Sequence, residues 1–165
     1  HGRIRRQRQM CIRDRSKLSK NSLKERVIVV TGAGSGIGRA LSFELAKNNA
    51  DLILLSRDQI KLDSLQDEIK EKFGIEPLTV EFDFFKAKEK DYNFLIENLI
   101  DNYTKIDGLV HVAGILGYLS PFTSTSPSQL ETVMKVNFES NFLLTKSLMP
   151  LLEKSECPSV IFTSS

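Results

Sequence analysis

No apolar run in the 165 residues approaches the roughly 18 that a membrane-spanning helix requires. The longest are Val27 to Val30 and the broken stretch from Phe142 to Leu152, so no membrane partner is expected. Cysteine is scarce: Cys11 and Cys157 stand far apart with no Cys-x-x-Cys pair, which excludes a disulfide framework and zinc-ligand spacing. No metal is expected, and a reducing, cytoplasmic setting is the default. The start of the chain lacks the apolar core of a secretory signal. Also missing is any G-x-x-x-x-G-K-[S/T] loop, which argues against nucleoside-triphosphate chemistry.

What remains is 41% hydrophobic and 27% charged, the balance of a soluble globular chain of one-domain size. The net charge of +2 conceals a split. Residues 1–20 hold eight of the 23 Lys/Arg and one of the 21 Asp/Glu, so this leader is +7 and the rest is −5. A nucleic-acid-binding arm is one reading of the leader. It has no interleaved aromatics and no apolar periodicity, so a disordered tail or an artefact is the better one and no nucleic-acid partner is expected. The expected organisation is a leader over 1–22 and a folded unit over 23–165. Because the chain begins with His1 and stops inside an apolar strand pattern, it reads as a fragment, incomplete at the C-terminal end.

From Lys24 onward short apolar runs alternate with longer amphipathic ones. Val27–Val30 reads as a buried strand, and a helix over about Ile37 to Asn48 carries Leu41 and Leu45 on one face. Leu52–Leu55 is a second strand. Asp58 is placed to cap a helix bearing Leu62, Leu65, Ile69 and Phe73, which Gly74 ends. A third strand covers Leu78–Phe82 and closes at Asp83. Tyr92, Leu95, Ile96, Leu99, Ile100 and Tyr103 recur at helical spacing, and Leu109–Ala113 is a fourth strand. After a Ser/Thr/Pro-rich loop to Pro127, one long helix runs from about Ser128 to Lys146 or beyond, with Pro150 kinking or ending it. Val160–Phe162 is strand five. Strands joined by helices are parallel with right-handed crossovers, so the expected architecture is a doubly wound parallel α/β sheet.

The chemistry lies in the first strand-to-helix turn, Thr31-Gly-Ala-Gly-Ser-Gly-Ile-Gly38. A pyrophosphate needs a tight exit from the sheet, bare backbone N–H groups and the positive end of a helix. Gly32 permits the turn, Gly36 the close approach of phosphates, and Gly38 the packing of the helix on the strand. A glycine-rich turn can be purely structural, but this one follows an apolar strand and opens an amphipathic helix.

The T-G-x-x-x-G-x-G spacing of Thr31, Gly32, Gly36 and Gly38 resembles the short-chain dehydrogenase/reductase family, and the resemblance runs from about Glu25 to the end. The stretch from Asp107 to Ser165 is most similar to bacterial oxidoreductases of the family. A Rossmann-type fold, of which this chain is the N-terminal part, is implied. So are cofactor-binding roles for Thr31, Gly32, Ser35, Gly36, Ile37 and Gly38. Asp83 resembles the aspartate that meets the adenine ring, with a plain strand-end cap as the alternative. His111-Val-Ala-Gly114 resembles the Asn-Asn-Ala-Gly segment, placing Ala113 and Gly114 at the cofactor, although Val112 replaces a polar group. Asn137, on an apolar helix face, resembles the catalytic asparagine near a relay water; the alternative is a satisfied core amide. Val160–Ser165 resembles the strand delivering the catalytic serine, which falls on Ser165 with Ser164 beside it.

After strand two, an acidic residue would accept from a ribose 2′-OH and a basic one would pair a 2′-phosphate. Arg57, with Ser56 as an added donor, points to NADP; Asp58 taking the ribose would point to NAD. The resemblance implies hydride transfer between NADP(H) and a small carbonyl or alcohol substrate. Ser165 would hold the oxygen, and a tyrosine with a lysine four residues later would handle its proton. Tyr92, Tyr103 and Tyr118 are followed at that spacing by Ile96, Asp107 and Phe122, so the pair is expected beyond Ser165. Without such a pair the alternative is a non-catalytic nucleotide-binding sensor or scaffold. The loop from Ile115 to Ser126 either borders the substrate pocket or is a surface connection. A homo-oligomer is expected of the full-length protein. Residues 1–165 expressed alone should be poorly soluble and inactive, because strand five would be an apolar parallel edge; size-exclusion chromatography and an activity assay check this.

Overall fold

The computed structural model describes residues 22–119 and 121–164, so the basic leader lies outside the described residues apart from Ser22. Strand β1, Val27–Thr31, is central, because its apolar residues alternate between two helical layers. Val29 faces one layer while Ile28 and Val30 face the other. Beside it lie β2, Asp51–Ser56, and β4, Gly108–His111; β3, Leu78–Glu81, and β5, Ser159–Phe162, complete a sheet of order β3-β2-β1-β4-β5. Every neighbouring pair is parallel. The expected doubly wound parallel sheet is therefore what forms.

Helices α1, Gly36–Lys47, and α2, Gln59–Phe73, cover the Val30 face through Ala46, Leu62, Leu65 and Ile69. The capping expectations for α2 hold at both ends. Asp58 accepts from the Lys61 N–H at 3.2 Å, and Gly74 closes the helix in the left-handed region at φ 70°. The opposite face packs on α3, Glu89–Asn102, through Tyr92, Leu95, Ile96 and Leu99. Strand β4 stops at His111, short of the expected Ala113, because the Val112 and Ala113 N–H groups turn to the Thr31 side chain.

The expected single long helix is a correction. The segment is divided into α4, Pro127–Met134, a π-helical stretch, Lys135–Glu139, and α5, Ser140–Leu152. Side chains also bond to two carbonyls of this wider turn. Ser140 Oγ donates to Val136 O at 2.6 Å and Asn141 Nδ2 to Asn137 O at 2.8 Å. Nor does Pro150 end the helix, which continues to Leu152. Proline removes one ladder bond, but Leu148, Leu151 and Leu152 are buried in the core and hold the last turn in place. Strand β5 forms the edge, with all four residues exposed. Among the described residues no helix is long and apolar enough to cross a membrane.

At the amino end of β4, Asp107 accepts from four residues and ties its own segment to two others. Its carboxylate accepts from Arg26 Nη1 at 2.8 Å, Val27 N at 3.0 Å, Lys105 Nζ at 3.0 Å and Ser155 Oγ at 2.6 Å, and its side chain is 3% exposed. Burial alone would raise its pKa. The bonds from Ser155, Val27, Lys105 and Arg26 outweigh that and hold the carboxyl well below its ordinary 3.8. A depressed folded-state pKa contributes stability that is complete above the unfolded value and is lost as pH falls through the folded one. Asp107→Ala should therefore cost about 3 kcal/mol at neutral pH, with the deficit relative to wild type shrinking below pH ~3, as denaturant titrations at several pH values will show.

Candidate functional site

A cleft of about 490 Å³ opens at the carboxyl ends of β1 to β4, where the order reverses between β1 and β4. Ligands of open α/β sheets bind at such switch points. The glycine-rich loop lines it with Gly32, Ser35, Gly36 and Ile37.

The loop is pinned from both sides. Thr31 is fully buried, and its Oγ1 accepts from Val112 N and Ala113 N, both at 3.0 Å; Ala33 N donates to Leu55 O at 3.1 Å. Thr31 thus supports the loop from beneath and does not face the cleft. Gly32 has φ 67°, and a Cβ there would lie 2.9 Å from the Ala113 backbone. At Gly38 a Cβ would stand 2.3 Å from Gly32 O. The close contact is thus between the first turn of α1 and the loop itself, where helix against strand was expected. Gly36, at φ 53°, has no protein atom within 4 Å of its Cβ position and so borders open space.

Helix α1 begins without a side-chain cap. Ser35 is its N-cap but makes no capping bond, and no acidic residue occupies the first turn. Its first N–H groups and the positive end of its dipole are left for an anion in the cleft. Ile37 is 68% exposed at the same end.

Beyond β2, Ser56 and Arg57 line the cleft. The two candidates for the ribose position differ. Asp58 accepts from Lys61 N and pairs with Lys61 Nζ at 3.0 Å, and this hydrogen bonding lowers its pKa. Arg57 is exposed and makes no hydrogen bond and no ion pair among the described residues.

Beyond β3, Asp83 also lines the cleft while capping the turn after it. Its Oδ1 accepts from Phe85 N at 3.0 Å, and Oδ2 pairs with Lys86 at 3.5 Å. Phe84 and Phe85 form an aromatic wall that was not anticipated, although the Phe-Phe pair directly after a strand-ending aspartate was a visible signal. On the β4 side Val112, Ala113 and Gly114 line the cleft.

Asn137 corrects another expectation. It is exposed, not set in an apolar face, yet both amide atoms are used. Oδ1 accepts from Ile115 N and Nδ2 donates to Ile115 O, each at 2.9 Å. The side chain imitates a strand neighbour and clamps the segment after Gly114 to the π turn. Of the following loop, Ile115 reaches the cleft, while Leu116, Tyr118, Leu119 and Phe122 are 76–95% exposed. Ser164 is exposed, and Ser165 lies outside the described residues.

A parallel sheet with an uncapped helix and a glycine-lined cleft at its switch point defines the dinucleotide-binding class of α/β proteins. The short chain dehydrogenase family profile matches residues 26–165, and the chain belongs to that family. It is 38% identical over 143 residues to the oxidoreductase YciK of Escherichia coli (strain K12), covering 87% of this chain and 57% of that protein. It is 34% identical over 125 residues to a very-long-chain 3-oxoacyl-CoA reductase of Phaeosphaeria nodorum, covering 74% of this chain and 36% of that one. A short chain dehydrogenase of Escherichia coli CFT073, solved with NADPH, superposes with a TM-score of 0.87 at 37% identity, covering 90% of this chain and 62% of that one. The chain thus spans between about a third and three fifths of its relatives' lengths.

The glycine geometry separates two effects. Gly38→Ala should destabilise by about 1–3 kcal/mol, because backbone must move away from the new methyl. Gly36→Ala should cost only about 1–2 kcal/mol, from the left-handed backbone alone, and leave the loop packing intact. Denaturant unfolding of the two variants checks the difference, and amide exchange at Gly32 reports whether the loop has moved.

Proposed function

We propose that this chain is the nucleotide-binding part of an NADP(H)-dependent oxidoreductase acting on a carbonyl or alcohol group. The observation that carries the cofactor reading is the contrast after β2: the carboxylate of Asp58 is committed to capping and to Lys61, while Arg57, at the cleft, attracts Asp58 only at longer range and makes no hydrogen bond or ion pair among the described residues. Such a guanidinium suits a 2′-phosphate, and Ser56 adds a hydroxyl donor. Two short chain dehydrogenases solved with NADPH or NADP, from Escherichia coli CFT073 and Shigella flexneri 2a, are 37% and 36% identical to this chain, which supports the same choice.

In this reading the N–H groups around Gly36 and Ile37 hold the pyrophosphate against the α1 dipole, with Ser35 available as a further donor. Asp83 and the Phe84–Phe85 wall border the adenine. Ala113 and Gly114 form the floor that leads towards the reacting end, kept in place by Thr31 and by the Asn137 clamp. The bound nucleotide supplies or accepts the hydride. Ser165 holds the substrate oxygen, Asn137 steadies the adjoining segment, and a tyrosine–lysine pair beyond Ser165 transfers the proton, as the family resemblance implies. A cytoplasmic protein accords with the sparse cysteines. The exposed Phe138, Phe142 and Met149 support self-association of the full-length protein.

Removing the charge at position 57 tests the cofactor assignment. Arg57→Ala should weaken NADPH binding by roughly tenfold or more, the worth of one charge-assisted contact, and leave NADH affinity unchanged. Calorimetry with both nucleotides reads this directly, and an unaltered NADPH-to-NADH ratio refutes the assignment.

A further inference from the structure

Among the described residues, His111 is the titratable side chain buried at the carboxyl end of the sheet that the proposed chemistry leaves unused. It is 1% exposed. Its ring stacks on Phe162 of β5, with centroids 4.7 Å apart and planes 8° from parallel. Nε2 lies 2.9 Å from Thr145 Oγ1 on α5, and Nδ1 is buried with no hydrogen-bond partner among the described residues. The backbone oxygen of His111 accepts from both Thr163 N at 3.0 Å and Thr163 Oγ1 at 2.9 Å. Thr163 is the second residue before Ser165.

A circuit of contacts passes through this residue. Asn141 stands beside the imidazole and donates to the Asn137 carbonyl at 2.8 Å. Asn137 clamps Ile115, which lies four residues after His111 on the same segment. The ring thus touches β5 on the way to Ser165 and the helix that follows Asn137, while its own backbone belongs to the strand between them. Burial pushes the His111 pKa down to about 4, only partly opposed by Asn141, so the ring is neutral at working pH. A neutral ring with its proton on Nε2 donates to Thr145. A charged ring would have to bury its charge.

We propose that His111 is a positioning residue that sets the end of β5 at Thr163, two residues before the serine of the reductase reading, relative to the π turn carrying Asn137. It touches neither substrate nor nucleotide. This inference rests on the reductase reading above, and the experiment separates the two. Steady-state kinetics and NADPH binding are measured on the full-length protein and on His111→Leu, His111→Gln, Thr145→Val and Phe162→Leu. His111→Leu is expected to lower kcat by roughly tenfold to a hundredfold, with NADPH Kd changed by less than about twofold, since the nucleotide end of the cleft is held by other contacts. His111→Gln, which can still donate to Thr145, should recover part of the loss. If His111→Leu fails to fold, Thr145→Val and Phe162→Leu each remove one contact and should show the same fall in kcat at constant NADPH affinity. Unchanged kcat in folded variants overturns the proposal. So does a loss of NADPH affinity in step with kcat, which would mean general loosening. A wild-type protein that binds NADPH but reduces no carbonyl compound instead overturns the reductase reading on which the inference stands.

Discussion

Three backbone segments converge at the end of β1 with no room for a side chain between them: the turn at Gly32, the first helical turn at Gly38, and the segment just after β4 at Ala113. A methyl group on either glycine would stand closer than van der Waals contact to main-chain atoms that have nowhere to go. That approach brings the helix N-terminus to the mouth of the sheet, and Thr31, bonding two N–H groups of the neighbouring segment, keeps β1 and β4 in step. The cleft exists because these contacts hold its walls at a fixed separation. Its capacity for an anion follows from the uncapped amides that remain.

The π turn is the second local departure from regularity, and it has a similar cause. A continuous α-helix would point Asn137 elsewhere in its register; the wider turn lets its amide pair with both backbone groups of Ile115. Ser140 and Asn141 add side-chain bonds to the Val136 and Asn137 carbonyls of this turn. At the opposite end of the sheet, Asp107 ties its strand to the start of β1 and to the turn at Ser155 with one carboxylate. Stability is concentrated there, while the carboxyl ends of the strands stay open.

Much of this was legible in the residues. The alternation of Ile28, Val29 and Val30 between two cores, the Asp58 and Gly74 caps and the order of strands and helices follow from side-chain periodicity and from which residues tolerate which backbone. The glycine spacing located the cleft. Less accessible were features that depend on a partner far away in the chain. Periodicity carries across Lys135–Glu139 without interruption, so nothing in the local pattern marked the π turn. Pro150 was weighed by its intrinsic cost, whereas three buried leucines around it decide the outcome. Thr31 was given a cofactor-binding role by the family spacing, and the structure shows it buried, bonding the backbone after β4.

By itself, then, the sequence determined the class of fold, the family and the place of the nucleotide cleft, because hydrophobic period and glycine spacing act over a few residues. Only the tertiary structure decided which charged group after β2 is already committed, what Asn137 holds, and how His111 connects β4, β5 and α5. Each of those depends on distances between residues from 22 to 52 positions apart, or on whether a neighbour has already claimed a carboxylate. Such outcomes are settled by the packing of whole elements, which no local pattern of residue types encodes.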